Sequence, residues 1–124
     1  MLRLLRAAFW AAALFAFVMA VLPHPPHVPG DPTDKVQHIV AFAVLAVLAS
    51  LAHPQTRPVR IGLGLSAFGA LIELVQLVPA LNRDGDIVDW SADTVAAALV
   101  LALVAAWRRR SARQLHRRPD EQQR

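Results

Sequence analysis

A chain of 124 residues allows one domain, and its 56% hydrophobic and 18% charged residues leave too little polar surface for a soluble one. The formal net charge of +4 does not indicate a nucleic-acid binder, because the positive charge is concentrated at the end of the chain without interleaved aromatic residues. The absence of cysteine excludes disulfides, thiolate nucleophiles and cysteine-based metal sites.

Four long apolar stretches predict four transmembrane helices, and hence an all-α membrane protein built as a small helical bundle. A helix of this length crosses a hydrocarbon core of about 30 Å and satisfies its own backbone hydrogen bonds in lipid. The helices are predicted at about residues 4–22, 34–53, 60–79 and 87–107. They form a transmembrane domain over residues 1–107, and residues 108–124 are predicted to be a basic cytoplasmic tail that is partly disordered.

The first apolar stretch follows a basic start, so a cleaved signal peptide is the alternative to a membrane span. Its apolar core is long for a signal peptide, and Val18-Met19-Ala20 is a poor small-residue cleavage site, so we expect a retained helix. The proline-rich segment 23–32 cannot continue that helix and is predicted to be an extended loop. Within it, His24 and His27 have no third metal ligand next to them.

The next three stretches each carry polar residues at helical spacing. In the second, Asp34 is expected to cap the helix, with Gln37 at the capping-box position and His38 one turn on. In the third, one face combines small and polar residues that would suit a close neighbouring helix, namely Gly62, Ser66, Gly69, Glu73 and Gln76. In the fourth, one face carries three carboxylates, Asp86, Asp89 and Asp93.

The distribution of basic residues predicts that both termini lie in the cytoplasm. Of the 13 Lys and Arg residues, only Lys35 and Arg83 fall in segments that this topology places outside, and the positive-inside rule puts basic segments in the cytoplasm. Trp10 and Trp107 would then lie near the inner interface and Trp90 near the outer one, as in an aromatic belt.

The acidic residues gather at the outer end of the predicted bundle, since only Asp120 and Glu121 of the nine fall on the inner side. Ionisable groups at membrane depth are costly and indicate a functional site. Glu73 must therefore face the bundle, pair with a cation or hydrogen-bond donor, or stay protonated. His38 is its expected hydrogen-bond or proton partner, and Arg83 is the expected contact for an anionic headgroup. The predicted polar site comprises Asp34, Lys35, His38, Glu73, Gln76, Arg83, Asp86, Asp89 and Asp93.

These same residues carry a resemblance to a family of bacterial membrane proteins. The matching pieces, in order, are Asp34-Lys35-Val36-Gln37-His38, Ala41-Phe42, Glu73-Leu74-Val75-Gln76, Arg83 with Asp86, and Asp89-Trp90-Ser91-Ala92-Asp93-Thr94. Over residues 34–98 the chain resembles the VanZ-like family in the order and spacing of these pieces. It departs from the family at Asp93, where the family motif often has Asn followed by a pair of glycines.

The resemblance implies a multi-pass protein of the bacterial cytoplasmic membrane, with an envelope function and no assigned reaction. The family is named after a member linked to resistance to teicoplanin, a glycopeptide antibiotic that acts on cell-wall precursors. We therefore expect the outer polar site to engage an envelope lipid, a cell-wall precursor or a glycopeptide-type antibiotic. Membrane lipids are the expected partners, nucleic acid is not, and the sequence indicates no particular oligomeric state.

Two alternatives remain open from the residues alone. The chain could be a small intramembrane enzyme that uses its carboxylates for acid–base chemistry or with a metal, since His38, Glu73, Asp89 and Asp93 would suit a divalent cation. No nucleophile is evident, since Ser91 is expected to pack near the start of the fourth helix. The enzyme hypothesis is therefore the weaker one, and no cofactor is predicted. In the other alternative, the polar residues only hold the helices together in a structural or assembly protein.

Overall fold

The computed structural model describes residues 1–23, 33–83 and 85–117, and within them the predicted four-helix fold is confirmed. The helices are α1 (Leu2–Val21), α2 (Asp34–Ala52), α3 (Pro58–Gln76) and α4 (Ile87–Arg117), with a short 3₁₀ turn at Pro79–Leu81. All four helices are long and apolar enough to cross a membrane, so the chain is a membrane protein.

Helix α2 lies at the centre of the bundle and packs against the other three helices. Its inward residues are small or apolar: Phe42 and Leu45 are almost completely buried, and Ala46, Ala49 and Ala52 recur at three-residue intervals. Small side chains at this spacing let neighbouring helices approach closely, which is how helices associate in lipid. Large apolar side chains cover the outside of the bundle, as a lipid-facing surface requires.

Two arginines from neighbouring helices bind the carboxyl-terminal end of α2. Arg6 of α1 donates from Nε to the carbonyl of Ala52 at 3.3 Å, and Arg108 of α4 donates from Nη2 to the carbonyl of Ser50 at 2.6 Å. The last carbonyls of a helix have no partner within the helix and attract positive charge. These basic residues therefore connect the helices at this end of the bundle, in addition to their predicted topogenic role.

Two predicted helix ends are wrong, and the positions of the prolines in the sequence explain both. Helix α3 ends at Gln76 and not at residue 79, because Pro79 has no N–H and disfavours helical backbone at Val78, which is extended. Helix α4 runs to Arg117 and not to residue 107. No proline interrupts the sequence until Pro119, and Arg, Ala and Gln are good helix formers, so the start of the predicted basic tail continues the helix.

The amino-terminal cap of α2 also differs from the prediction. Thr33 is the capping residue, and its Oγ1 accepts a hydrogen bond from the Val36 N–H at 3.4 Å. Asp34 is instead the first residue of the helix. Threonine is a good cap, and it lies three residues before the N–H that it binds, which is the usual capping distance.

Several sequence predictions fall outside the described residues. They concern the proline-rich loop with His24, His27 and Asp31, the turn residue Asp84, the side chain of Asp34 and the chain beyond Arg117.

Candidate functional site

Three of the predicted site residues, each from a different helix, come together at one end of the bundle. His38 of α2, Glu73 of α3 and Asp93 of α4 each offer a ligand atom, and these atoms lie within 4.8 Å of one another. We call this group the His38–Glu73–Asp93 cluster. His38 is 7% exposed and Asp93 is 1% exposed, while Glu73 is half-buried. The cluster is therefore an ionisable site held inside the helix bundle.

His38 pairs with Asp93 across the contact between α2 and α4. The imidazole Nδ1 lies 3.1 Å from Oδ2 of Asp93, within hydrogen-bonding distance. The sequence predicted Glu73 as the partner of the imidazole, whereas the structure gives it a direct hydrogen bond to Asp93 and places Glu73 beside the pair. When Asp93 is ionised it can only accept, so Nδ1 must carry the proton of this bond.

Glu73 is anchored by the backbone of the loop before α4. Its Oε2 accepts a hydrogen bond from the Asp86 N–H at 2.6 Å. Its other oxygen, Oε1, is buried and has no hydrogen-bond partner among the described residues, and the same holds for Oδ1 of Asp93. Buried polar atoms are normally paired, so two acceptor oxygens in the cluster are available for a ligand.

An ion pair lies next to the cluster, on the same two helices as His38 and Asp93. The Nζ of Lys35 lies 2.6 Å from Oδ1 of Asp89. Lys35 precedes His38 by three residues and Asp89 precedes Asp93 by four, so the ion pair is one helical turn from the cluster. Lys35, a member of the predicted polar site, thus neutralises Asp89.

The other predicted site residues have different roles or lie at the edge of the site. The Asp86 side chain is exposed and its Oδ1 accepts from the Val88 N–H at 2.8 Å, which caps α4. Gln76 is buried and donates from Nε2 to the carbonyl of Ala20 in α1 at 2.9 Å. Arg83 is half-buried in the loop before α4. Helix α1 thus offers a backbone carbonyl to α3.

The predicted small-residue face of α3 contacts α2 and α4. Ser66 Oγ lies 3.0 Å from Thr94 Oγ1 of α4. A Cβ atom on Gly69 would lie 3.3 Å from both Phe42 of α2 and Trp90 of α4. The aromatic belt predicted from the sequence includes Trp90, but its ring lies between the helices and its Nε1 donates to the carbonyl of Ser66 at 3.0 Å. An indole packed between helices satisfies its N–H with such a partner.

Replacement of Trp90 by phenylalanine is expected to lower the free energy of unfolding by about 1–2 kcal/mol, because it removes one hydrogen bond and some packing volume. Unfolding of the purified protein in mixed micelles with increasing SDS measures this change. Trp10→Phe is the matched control, since Trp10 is 65% exposed and its replacement should change stability by no more than about 0.5 kcal/mol. Equal effects of the two replacements would contradict the role given to Trp90.

Two apolar grooves reach the cluster from different sides. One, of about 580 Å³, lies between α1 and α2 and is lined by Phe15, Ala16, Met19, Ala41, Ile72 and His38 among others. We call it the α1–α2 groove. The other, of about 440 Å³, lies between α3 and α4 and is lined by Glu73, Leu74, Leu77, Ile87 and Trp90 among others. The two grooves thus border the cluster, one at His38 and the other at Glu73.

The cluster can exchange protons between its imidazole and its carboxylates, and it can supply nitrogen and oxygen ligands to a cation. Ser91, the nearest nucleophile in the sequence analysis, is exposed and donates to the carbonyl of Ile87 in its own helix at 2.8 Å. The hydroxyls of Ser66 and Thr94 bind each other. The geometry therefore favours binding or proton transfer over attack by a serine.

Comparison with known proteins adds no relative to this description. No family model, no curated protein and no solved structure matches the chain.

Proposed function

We propose that the chain is a VanZ-like protein of the bacterial cytoplasmic membrane whose polar site engages a lipid with an anionic headgroup. Envelope lipids and lipid-linked cell-wall precursors share this chemistry, an apolar chain joined to a phosphate. The positive-inside rule favours a topology with the site at the extracytoplasmic face. A role in envelope function or in antibiotic resistance would follow from binding such a lipid.

The observation that carries the proposal is the α1–α2 groove, which has apolar walls and includes His38 in its lining. Its volume of about 580 Å³ falls within the range of about 300–1,000 Å³ that is usual for small-molecule sites. In a bilayer, acyl chains are the molecules that surround such a groove. A chain lying along it would bring its headgroup to the polar end of the bundle.

The polar end offers basic groups to an anionic headgroup. His38 lines the groove, and Lys35 lies one turn closer to the amino-terminal end of α2. The Lys35 side chain is 43% exposed, so its Nζ can contact Asp89 and a phosphate oxygen at the same time. Arg83 lies in the loop at the same end of the bundle. Together these groups supply the positive charge that an anionic headgroup requires.

The alternative in which the cluster only holds the helices together is less well supported. Other polar contacts already join the helices: Gln76 binds Ala20 of α1, Ser66 binds Thr94, and Lys35 pairs with Asp89. Ionisable groups are an expensive means of joining helices in lipid. The additional His38–Glu73–Asp93 cluster therefore favours a role beyond helix packing.

Filling the groove tests the proposal directly. We expect Ala16→Phe to reduce the anionic lipid that co-purifies in mild detergent by about tenfold, equivalent to a loss of 1.4 kcal/mol of binding free energy. Mass spectrometry of the lipid extract measures this amount. Ala67→Phe is the matched control, because Ala67 belongs to a different cavity, which His53 and Arg60 also line.

Equal lipid content in the two variants and the wild type would contradict the proposal.

A second measurement concerns cells. Glu73→Ala and His38→Ala, each at wild-type protein levels, are expected to change envelope integrity or glycopeptide susceptibility. Unchanged phenotypes for both variants would exclude a function for the polar site in the envelope.

A further inference from the structure

We propose that the His38–Glu73–Asp93 cluster binds one divalent transition-metal cation, such as Zn²⁺ or Mn²⁺. The proposal does not depend on lipid binding, since all three ligands belong to this chain. It rests on two independent observations. One is the convergence of three ligand atoms from three helices within 4.8 Å. The other is the pair of buried carboxylate oxygens, Oε1 of Glu73 and Oδ1 of Asp93, that have no hydrogen-bond partner among the described residues.

The distances in the cluster suit a small cation. Ligand atoms around a tetrahedral cation with bonds of about 2.0–2.1 Å lie about 3.3 Å apart. His38 Nδ1 and Asp93 Oδ2 are already 3.1 Å apart. A cation bound between them would replace the proton of their hydrogen bond, which would be released to solvent. Glu73 lies within 4.8 Å of both residues, and rotation of its flexible side chain can close the remaining gap. Three protein ligands would leave one position for water or for an oxygen of another molecule.

The ligand types favour a transition metal over Mg²⁺ or Ca²⁺. Carboxylates bind all of these ions, but an imidazole nitrogen is typical of Zn²⁺ and other transition metals. Glu73 is also oriented by the backbone, because its Oε2 accepts from the Asp86 N–H and its Oε1 remains for a cation. Hydrogen bonds of this kind orient a metal-binding carboxylate.

The charges of the cluster also favour a divalent cation. Lys35 is engaged with Asp89, and the Asp86 side chain is exposed and caps α4. Two ionised carboxylates share the cluster with one imidazole, which can supply at most one positive charge. A divalent cation with a neutral imidazole and two carboxylates gives a site of zero net charge, which a medium of low dielectric constant favours. The alternative is that protons neutralise the two carboxylates. Titration with metal distinguishes a bound cation from protonated carboxylates.

Metal binding can be measured on the full-length, tag-free protein in mild detergent. After treatment with EDTA and gel filtration, titration with ZnCl₂ or MnCl₂ in a calorimeter should show one bound ion per chain, while MgCl₂ should bind far more weakly. The bound ion should also raise the unfolding temperature, and EDTA should reverse that rise. If the titration shows no saturable site for Zn²⁺ or Mn²⁺ up to millimolar concentration, the proposal is overturned. Protonation of the two carboxylates would then be the way in which the bundle accommodates them.

Variants locate the site. Glu73→Gln and Asp93→Asn should each weaken binding by at least about 100-fold, more than the 10- to 100-fold typical of losing an outer-shell partner. Ser91→Ala changes an exposed residue near the start of α4 whose hydroxyl binds its own helix, so it should leave binding unchanged. His24→Asn with His27→Asn tests the loop imidazoles. Loss of binding in that loop variant, with binding kept in the cluster variants, would contradict the assignment.

Discussion

Replacement of His38 by leucine is expected to lower the free energy of unfolding by about 3–5 kcal/mol. The change leaves Asp93, which is 1% exposed, without the imidazole that contacts its Oδ2 at 3.1 Å. A buried carboxylate that loses its partner retains the full cost of removal from water. Leucine has a similar volume and suits the apolar surroundings, so the loss would come from electrostatics and not from a cavity.

Unfolding in mixed micelles with increasing SDS measures the effect, and gel filtration shows whether each variant remains monodisperse. The matched control is Lys35→Gln, which removes the partner of Asp89 one turn away. Because the Lys35 side chain is exposed, water screens this ion pair, and its loss should destabilise the protein much less than the loss of His38. A loss below about 1 kcal/mol for His38→Leu would show that the pair is not the buried interaction described above.

A double variant separates stability from function. His38→Leu with Asp93→Leu should recover most of the lost stability, since a buried ion pair can often be replaced by apolar residues at no net cost. If the cluster only joined helices, the double variant would also keep every cellular function. If the cluster binds lipid or metal, the double variant should be stable and inactive. This combination of results would establish that the polar residues are present for function and not for the fold.

The fold could be predicted because its signals are local. Each apolar stretch is long enough to span a bilayer and is separated from the next by prolines or turn residues. The errors concern two helix ends, where the preferences of single residues for or against helical backbone decide where the helix stops. Hydropathy alone extended α3 to Pro79, although the 3₁₀ turn begins there, and it stopped α4 at the first arginines, although arginine is compatible with a continuing helix.

The polar site could be predicted as a region, but its contacts could not. Helical spacing places Glu73 and Gln76 on one face, yet three residues correspond to about 300° of rotation, so the two side chains diverge by about 60°. That difference directs Gln76 to Ala20 of α1 and Glu73 to the loop before α4. The rotation of each helix about its axis is set by packing, such as the approach of Phe42 to Gly69. The sequence contains no local signal for that rotation.

The role of Asp86 shows a second kind of error. Its spacing from Asp89 and Asp93 suggested a shared helical face, but helical spacing applies only to residues within a helix. Asp86 precedes α4, whose first residue is Ile87. Its side chain therefore turns back to cap the helix while its N–H binds Glu73. A capping residue before an apolar stretch is a recognisable pattern, and here it competes with the helical-face interpretation.

The second large effect is expected at Gly85, in the loop that anchors Glu73. A Cβ atom on Gly85 would lie 2.7 Å from the carbonyl oxygen of Glu73 and 3.1 Å from the Leu77 side chain. The Leu77 side chain can move, but the Glu73 carbonyl accepts the Leu77 N–H in the last turn of α3 and is held by it. The left-handed residue of this loop is Asn82, with φ of 48°. Gly85 is thus required for close approach and not for an unusual backbone conformation.

Gly85→Ala is therefore expected to lower the free energy of unfolding by about 1–3 kcal/mol, the usual effect of overpacking. The loop must move away from α3, which lengthens the bond of 2.6 Å from the Asp86 N–H to Glu73 Oε2. Gly64→Ala is the matched control, because a Cβ atom there meets nothing within 4 Å. Alanine within a helix is favoured over glycine by about 0.5–1 kcal/mol, so the control should be neutral or stabilising. Equal stability of the two variants would show that the loop does not hold Glu73 in place, and metal titration of Gly85→Ala would then be expected to match the wild type.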